Sequence, residues 1–451
     1  MSPLTAAGRP VRPQNKSCPA GGTFKGAPAP DHSLNLSIQR EGRRDRGVIV
    51  APPSGNTVAT HEDPLMEVIH KGFDTVNLSI EAQIPKEFLD FLDAEKATAE
   101  EERSTRPISY AGLDFDLLHH GGHGYRFILK GGPLGVHWMI KKPNPKEPWG
   151  IFISIGSTLL ATQGLGYARA LIDNTLERMG VSYQTHQVSL NRADFCVDIL
   201  APDFELIPDN FVTHSHTNRA DHTSPESEMR SNGKSGRFTS CTLGKMPGRQ
   251  IIVYDKRREV IDKQKPIWWE IWNANLKGLG FPALDPKNPA NSRVWRIEVR
   301  AGKDLLKGRW QIRTWEDFDR LFGDLAAESL DKIRYCVPSP EDTNRARWPN
   351  HPIWELVKST MAEDLEELRS FVEPTRVKEV HRMQHIKVMT DLIFGNAIAL
   401  CGLEDVQPDD LEANLDGIGK KLQAEFLADK ERAQSKLAVV KGRYRFVSEG
   451  G

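Results

Sequence analysis

The feature that most constrains this chain is a run in which apolar residues alternate with charged or polar ones. From Val188 to Leu200, Ala193, Phe195, Val197 and Ile199 fall on one side, and Arg192, Asp194, Cys196 and Asp198 on the other. A strand sends successive side chains to opposite faces, so this run has to lie half in a core and half out of it. Two further segments repeat the pattern. From Val294 to Arg300, Trp295, Ile297 and Val299 oppose Arg296, Glu298 and Arg300. From Arg249 to Lys256, Ile251 and Val253 oppose Gln250, Ile252, Tyr254 and Lys256. An antiparallel sheet with one solvated face would account for any one of the three. Solvated faces, however, mix Lys, Thr, Ser and Gln, whereas this set repeats Asp, Glu and Arg, the composition of a site.

The chemistry of that face follows from its residue types. Asp194, Asp198 and Glu298 form a carboxylate set with no accompanying histidine, which suits a hard cation, Mg²⁺ or Mn²⁺, better than zinc. Such an ion would stabilise charge developing at a phosphoryl group. Tyr254 is the candidate nucleophile, since a phenol can attack phosphorus and form a covalent phosphotyrosine. It needs a cation nearby to favour its phenolate, and Lys256 and Arg296 are the candidates. Of the seven tyrosines, Tyr254 alone stands in a setting as charged as Tyr254-Asp255-Lys256-Arg257-Arg258-Glu259.

Around this centre the 451 residues suggest two or three domains. Residues 1–64 are rich in Pro, Gly and Ser and basic, and are expected to form a disordered arm. A catalytic α+β domain is expected over 65–310, a mostly antiparallel sheet with helices on one face and the site on the other. A helical domain is expected over 311–451, from stripes such as Ile353, Leu356, Val357 and Met361, and Leu411, Leu415, Ile418, Leu422 and Phe426. Thr213 to Lys234 is polar and reads as a long loop. The net charge of −1 hides an uneven distribution: 18 Lys and Arg stand against 7 Asp and Glu between Arg230 and Trp310, and 14 against 18 from His351 onward. Five cysteines without C-x-x-C spacing point to reduced thiols and argue against a disulfide scaffold or a structural zinc site. The longest apolar stretch, Leu392 to Leu403, reads as too short to span a bilayer, and no signal peptide is evident at the start.

At these residues the chain resembles the trans-acting rolling-circle replication initiators of plasmids and phages, the Rep_trans family. Arg192-Ala-Asp194-Phe-Cys-Val-Asp198 is similar to the family's R-x-D-x-x-x-D strand. Thr242-Leu-Gly244-Lys245 through Arg249-Gln-Ile-Ile-Val-Tyr254-Asp255-Lys256, with Glu259 following, resembles its tyrosine hairpin. Arg296-Ile-Glu298-Val-Arg300 matches an R-x-E-x-R strand, Arg347-Trp348-Pro349 a later signature, and Phe73-Asp74-Thr75-Val76 the first strand. The likeness spans residues 72–355. It implies site-specific nicking and rejoining of one DNA strand, with a 5′-phosphotyrosine link and a free 3′-hydroxyl that primes synthesis. It also implies Tyr254 as nucleophile and Asp194, Asp198 and Glu298 as ligands of Mg²⁺ or Mn²⁺. The family's usual hairpin serine is replaced in Gly244-Lys245-Met246-Pro247, which alters the local phosphate contacts.

DNA is therefore the expected partner, contacted by Arg192, Lys245, Arg249, Arg257, Arg258 and Arg300, with Lys263 and Lys265 nearby. Trp268 and Trp269 are candidates for stacking on unpaired bases, or for packing in a core. His214, His216, His119, His120 and His123 read as solvated loop histidines, with His123 a candidate extra metal ligand. Host helicase and polymerase, and a second copy of the chain, are candidate further partners; a cytoplasmic location is expected and a membrane is not. The alternatives are a relaxase of an integrative or mobilisable element using the same chemistry, and a non-catalytic DNA-binding protein on the same fold.

Overall fold

The structure, a computed structural model, describes residues 65–214, 229–361 and 372–447. The expected basic arm, Cys18, His216 and residues 215–228 of the expected loop lie outside these residues. The described residues fall within one unit, Glu62–Gly451.

Eleven strands form one sheet in which every neighbouring pair is antiparallel. In chain order they are β1 (Glu67–Ile80), β2 (Arg106–Tyr110), β3 (Leu113–Leu117), β4 (Phe127–Lys130), β5 (His137–Ile140), β6 (Ile151–Ile155), β7 (Val188–Leu200), then, after a short strand β8 (Phe211–Thr213) outside the sheet, β9 (Met229–Lys234), β10 (Arg237–Gly244), β11 (Arg249–Asp255) and β12 (Val294–Gly302). Across the sheet the order is β2-β3-β4-β5-β6-β1-β7-β12-β11-β10-β9. β8 pairs with β13 (Ile333–Tyr335) in a separate ribbon. The three alternating segments of the sequence are thus β7, β12 and β11, side by side in the sheet.

The helices are α1 (Lys86–Glu101), α2 (Ser157–Arg178), α3 (Lys256–Asp262), α4 (Ile267–Gly278), the single turn α5 (Pro289–Ser292), α6 (Trp315–Lys332), α7 (Pro352–Thr360), α8 (Pro374–Leu403), α9 (Leu411–Ala428) and α10 (Lys430–Arg443). The apolar residues of β7, β12 and β11 join one core with Phe88 and Leu92 of α1, Leu160 and Ile172 of α2, Phe318 and Phe322 of α6 and Trp354 of α7. Phe318 and Phe322, one helical turn apart, stack with ring centroids 4.6 Å apart and both meet Phe73 of β1. Packing therefore does not break at residue 310, where a domain boundary was expected: α6 and α7 belong to the sheet's own core. α6 begins at a reciprocal cap, Thr314 accepting from the Asp317 amide and Asp317 from the Thr314 amide.

Two sequence expectations are corrected. The end of the expected loop, Met229–Lys234, is a strand, because its backbone pairs with β10 despite its polar side chains. The apolar stretch near Leu392 belongs to the 30-residue helix α8, which by length and composition alone could cross a membrane, with a mean hydropathy of 1.5 over 18 residues. Lys387, Asp391 and Asn396 shorten the uninterrupted run in sequence without lowering that mean enough.

Candidate functional site

The polar face of the sheet is not evenly solvated. α4 carries Trp268, Ile271, Trp272 and Leu276 on one helical stripe, all buried, and this stripe covers part of the face. The tryptophan pair reads as core packing: Trp268 is 1% exposed and cannot stack on a base, while Trp269 is half-buried against Trp272.

Beneath α4 lies a buried ionic cluster built around Arg296. Its Nη2 donates to Asp198 Oδ2 at 2.8 Å, its Nε to Asp198 Oδ1, and its Nη1 to Asp74. Trp272 Nε1 donates to the same Asp198 Oδ2 at 2.8 Å. The Trp268 ring lies 4.2 Å from the Arg296 guanidinium carbon and 4.6 Å from Lys256 Nζ. Burial opposes ionisation of Asp198, but Arg296 outweighs it and holds the carboxyl below the usual range. Burial lowers the Lys256 ammonium, and Arg296 lowers it further. Glu259 opposes that, bonded to Lys256 at 2.8 Å and to Lys265 at 2.8 Å; against burial, Lys256 and Lys265 bring its carboxyl down to about 2. His70 completes the cluster. It is register partner of Asp198, sits edge-on to Trp268, and its Nε2 has no hydrogen-bond partner. Burial, only partly offset by Asp198, lowers it from 6.5 to about 4.

The site opens beyond the edge of α4. Tyr254 of β11 is the register partner of Arg296, and it is half-buried. Its hydroxyl donates to Glu298 Oε2 at 3.4 Å. Glu298 also accepts from Arg300 Nε at 2.7 Å, and that nitrogen lies 3.6 Å from Asp194. Arg192 Nε donates to Asp194 at 2.9 Å. Both carboxylates are buried, while the side chains of Arg192 and Arg300 remain 31% and 26% exposed, so the accessible surface beside the phenol is guanidinium. Burial pushes the phenol well above its ordinary value; Arg296 pulls it down and Glu298 pushes it up. Burial likewise raises the Asp194 carboxyl, against Arg192.

Tyr254, Lys256, Arg296, Asp194, Asp198, Glu298, Arg192 and Arg300 are therefore brought onto one face. The three expected metal ligands nevertheless do not converge. Asp198 is committed to Arg296 and Trp272 in the interior, whereas Asp194 and Glu298 bridge arginines near the surface. Among the described residues no group of three or more His, Cys, Asp or Glu is arranged to hold a metal ion. The residues as arranged do not fit a shared Mg²⁺ or Mn²⁺.

The remaining basic residues divide. Lys245 is exposed at the β10–β11 turn, where Gly244 at φ +77° lies so close to Arg249 O that a Cβ would clash. Arg249 points to the opposite face, onto Glu328 and Ser329 of α6. Arg257 holds Ser292 and the Pro286 carbonyl, and Arg258 holds Asp262. Arg347 pairs with Asp342. His123 lies between β3 and β4, with β5, β6, β1, β7 and β12 between β4 and β11, and His214 accepts from Arg334. Neither reaches Tyr254. Sequence reasoning missed Asp74, His70 and Trp272. Asp74 stands mid-strand in Phe73-Asp74-Thr75-Val76, at a register shift between Phe73 and Thr75, and reaches Arg296 from there.

No protein-family model matches the chain, and no curated protein matches it. Among solved structures, it is similar to the rolling circle replication initiator protein from Geobacillus stearothermophilus. The two share 15% identity over 67% of this chain and 98% of that one, with a TM-score of 0.35. A likeness of that strength leaves function to be read from the site itself.

Proposed function

We propose that the chain is a tyrosine DNA nickase that cuts and rejoins one strand at an origin and so starts rolling-circle replication. The observation that carries this reading is a half-buried phenol donating to a carboxylate, flanked by a buried arginine and rimmed by two part-exposed arginines. In the proposed reaction a phosphate of a single strand is drawn to Arg192 and Arg300. Glu298 takes the proton of Tyr254 Oη as that oxygen attacks phosphorus. The bond from phosphorus to the 3′-oxygen breaks, the 3′-oxygen gains a proton, and the 5′-phosphate remains on Tyr254. Attack by a 3′-hydroxyl on that phosphotyrosine rejoins the strand. Buried Arg296, with Lys256 behind it, favours the phenolate as the proton leaves.

The test is a denaturing gel of the full chain with labelled single-stranded or supercoiled DNA carrying the element's own origin, with and without Mn²⁺. A covalent protein–DNA band is expected for the wild type and none for Tyr254→Phe. A band that survives the substitution would remove Tyr254 as nucleophile.

A further inference from the structure

We propose that β10 and β9 form a shelf on which the single strand lies beside Tyr254, and that Asn232 and Ser240 select a base of that strand. The inference rests on the nicking reading of Tyr254 and adds to it the residues that choose the sequence. On one side of the phenol the polar face of the sheet is closed, because Trp268 and Trp272 of α4 lie against Arg296 of β12 and Asp198 of β7. On the other side the face continues through β10 to β9, the edge of the sheet. That is the open way across the sheet for a strand bound at Tyr254.

Register places the shelf. Ser240 is the partner of Tyr254, and Asn232 is the partner of Ser240, so the three side chains stand in one row across β11, β10 and β9. The next row is Ile252, Thr242 and Arg230. Ser240, Thr242 and Ile252 are half-buried, and Asn232 and Arg230 are exposed. Met229, Cys241 and Leu243, which face the other way, are buried in the core. Two strand spacings, ~10 Å, carry the row from the phenol to the sheet edge, room for the nucleotides next to the scissile phosphate.

Composition names the occupant. From Met229 to Tyr254 the chain holds Arg230, Lys234, Arg237, Lys245 and Arg249 and no Asp or Glu, a balance that draws a phosphate backbone even with Arg249 turned to the other face. Beside Tyr254 itself the row is uncharged. Cations hold phosphates and carry no sequence information, whereas hydroxyls and amides meet base edges. Asn232 Nδ2 donates to Ser240 Oγ at 3.1 Å. That bond sets the plane of the amide and leaves its Oδ1 and second Nδ2 hydrogen to a ligand. An acceptor and a donor side by side are the pattern that pairs with N7 and N6 of adenine. Ile252, the apolar member of the shelf, offers a contact to the face of a base.

A binding selection with the full chain carrying Tyr254→Phe tests the proposal, because it reads the shelf without the chemistry. The probe is a pool of single-stranded oligonucleotides of the element's own origin, with each base around the nick randomised in turn. Adenine is expected to be preferred by about tenfold at one flanking position. Asn232→Ala and Ser240→Ala, each added to Tyr254→Phe, are expected to remove that preference and leave those at other positions as they are. Each comparison is made within one pool, so a loss of folded protein does not mimic the effect. Arg230→Ala is expected to weaken binding of all members of the pool alike and to lower the salt slope by about one. Binding without preference at any flanking position would overturn the shelf, and so would a preference that survives Asn232→Ala, even if the wild type forms its covalent adduct. A preference lost in Asn232→Ala would support the shelf even if no adduct formed, so the shelf and the nucleophile fail separately.

Discussion

At the scale of single residues, the site rests on how Arg296 is held. Its charge is buried, and Asp198, Asp74 and the Trp268 ring together satisfy it. Removing one partner leaves the other charge buried and uncompensated. Asp198→Ala is therefore expected to cost about 3–5 kcal/mol in urea unfolding, far more than a surface ion pair such as Arg258–Asp262. His70 gives a pH signature. Its pKa falls from 6.5 to about 4 on folding, so below 6.5 the unfolded chain binds a proton that the folded chain refuses. Stability is then lost as pH falls from 6.5 through about 4. Urea titrations of His70→Gln across that window are expected to show a flatter acid limb; an unchanged limb would mean the histidine is not held neutral. The charged residues of β7, β11 and β12 were legible in the sequence because alternation assigns them a face. Their partners were not, because pairing depends on register, and a single bulge in β1 decides where Asp74 points.

At the scale of elements, strands were more legible than the helix that covers them. β7 was read from Val188 to Leu200, as it stands, since its apolar residues repeat every second position. α4 was not read as a helix, although Trp268, Ile271, Trp272 and Leu276 follow helical spacing; of the two readings weighed for the tryptophan pair, base stacking and core packing, Trp268 takes the second. The expected metal ligands are drawn apart at this scale too. Sharing a face does not bring carboxylates together when each is already taken by an arginine on its own or the next strand. The other face depends on α6 being seated on the core through Phe318 and Phe322. Its Thr314–Asp317 cap fixes the first turn, so Thr314→Ala is expected to cost about 1 kcal/mol, read as a lowered urea midpoint with an unchanged slope.

At the scale of the whole molecule, the near-neutral charge divides into a basic middle that bears the site and an acidic helical region. That division was visible in the sequence. The continuity of packing past residue 310 was not, because α6 and α7 come after the last strand of the sheet and still pack into its core. The proposed function stands or falls on Tyr254 being the residue that becomes joined to DNA. Digesting the covalent complex with protease and nuclease and sequencing the nucleotide-bearing peptide by tandem mass spectrometry tests it directly. The expected result is a 5′-phosphate on Tyr254, in the peptide that precedes Asp255 and Lys256. A nucleotide on Tyr125, Tyr183 or any other residue, or no adduct on the element's own origin, would contradict it.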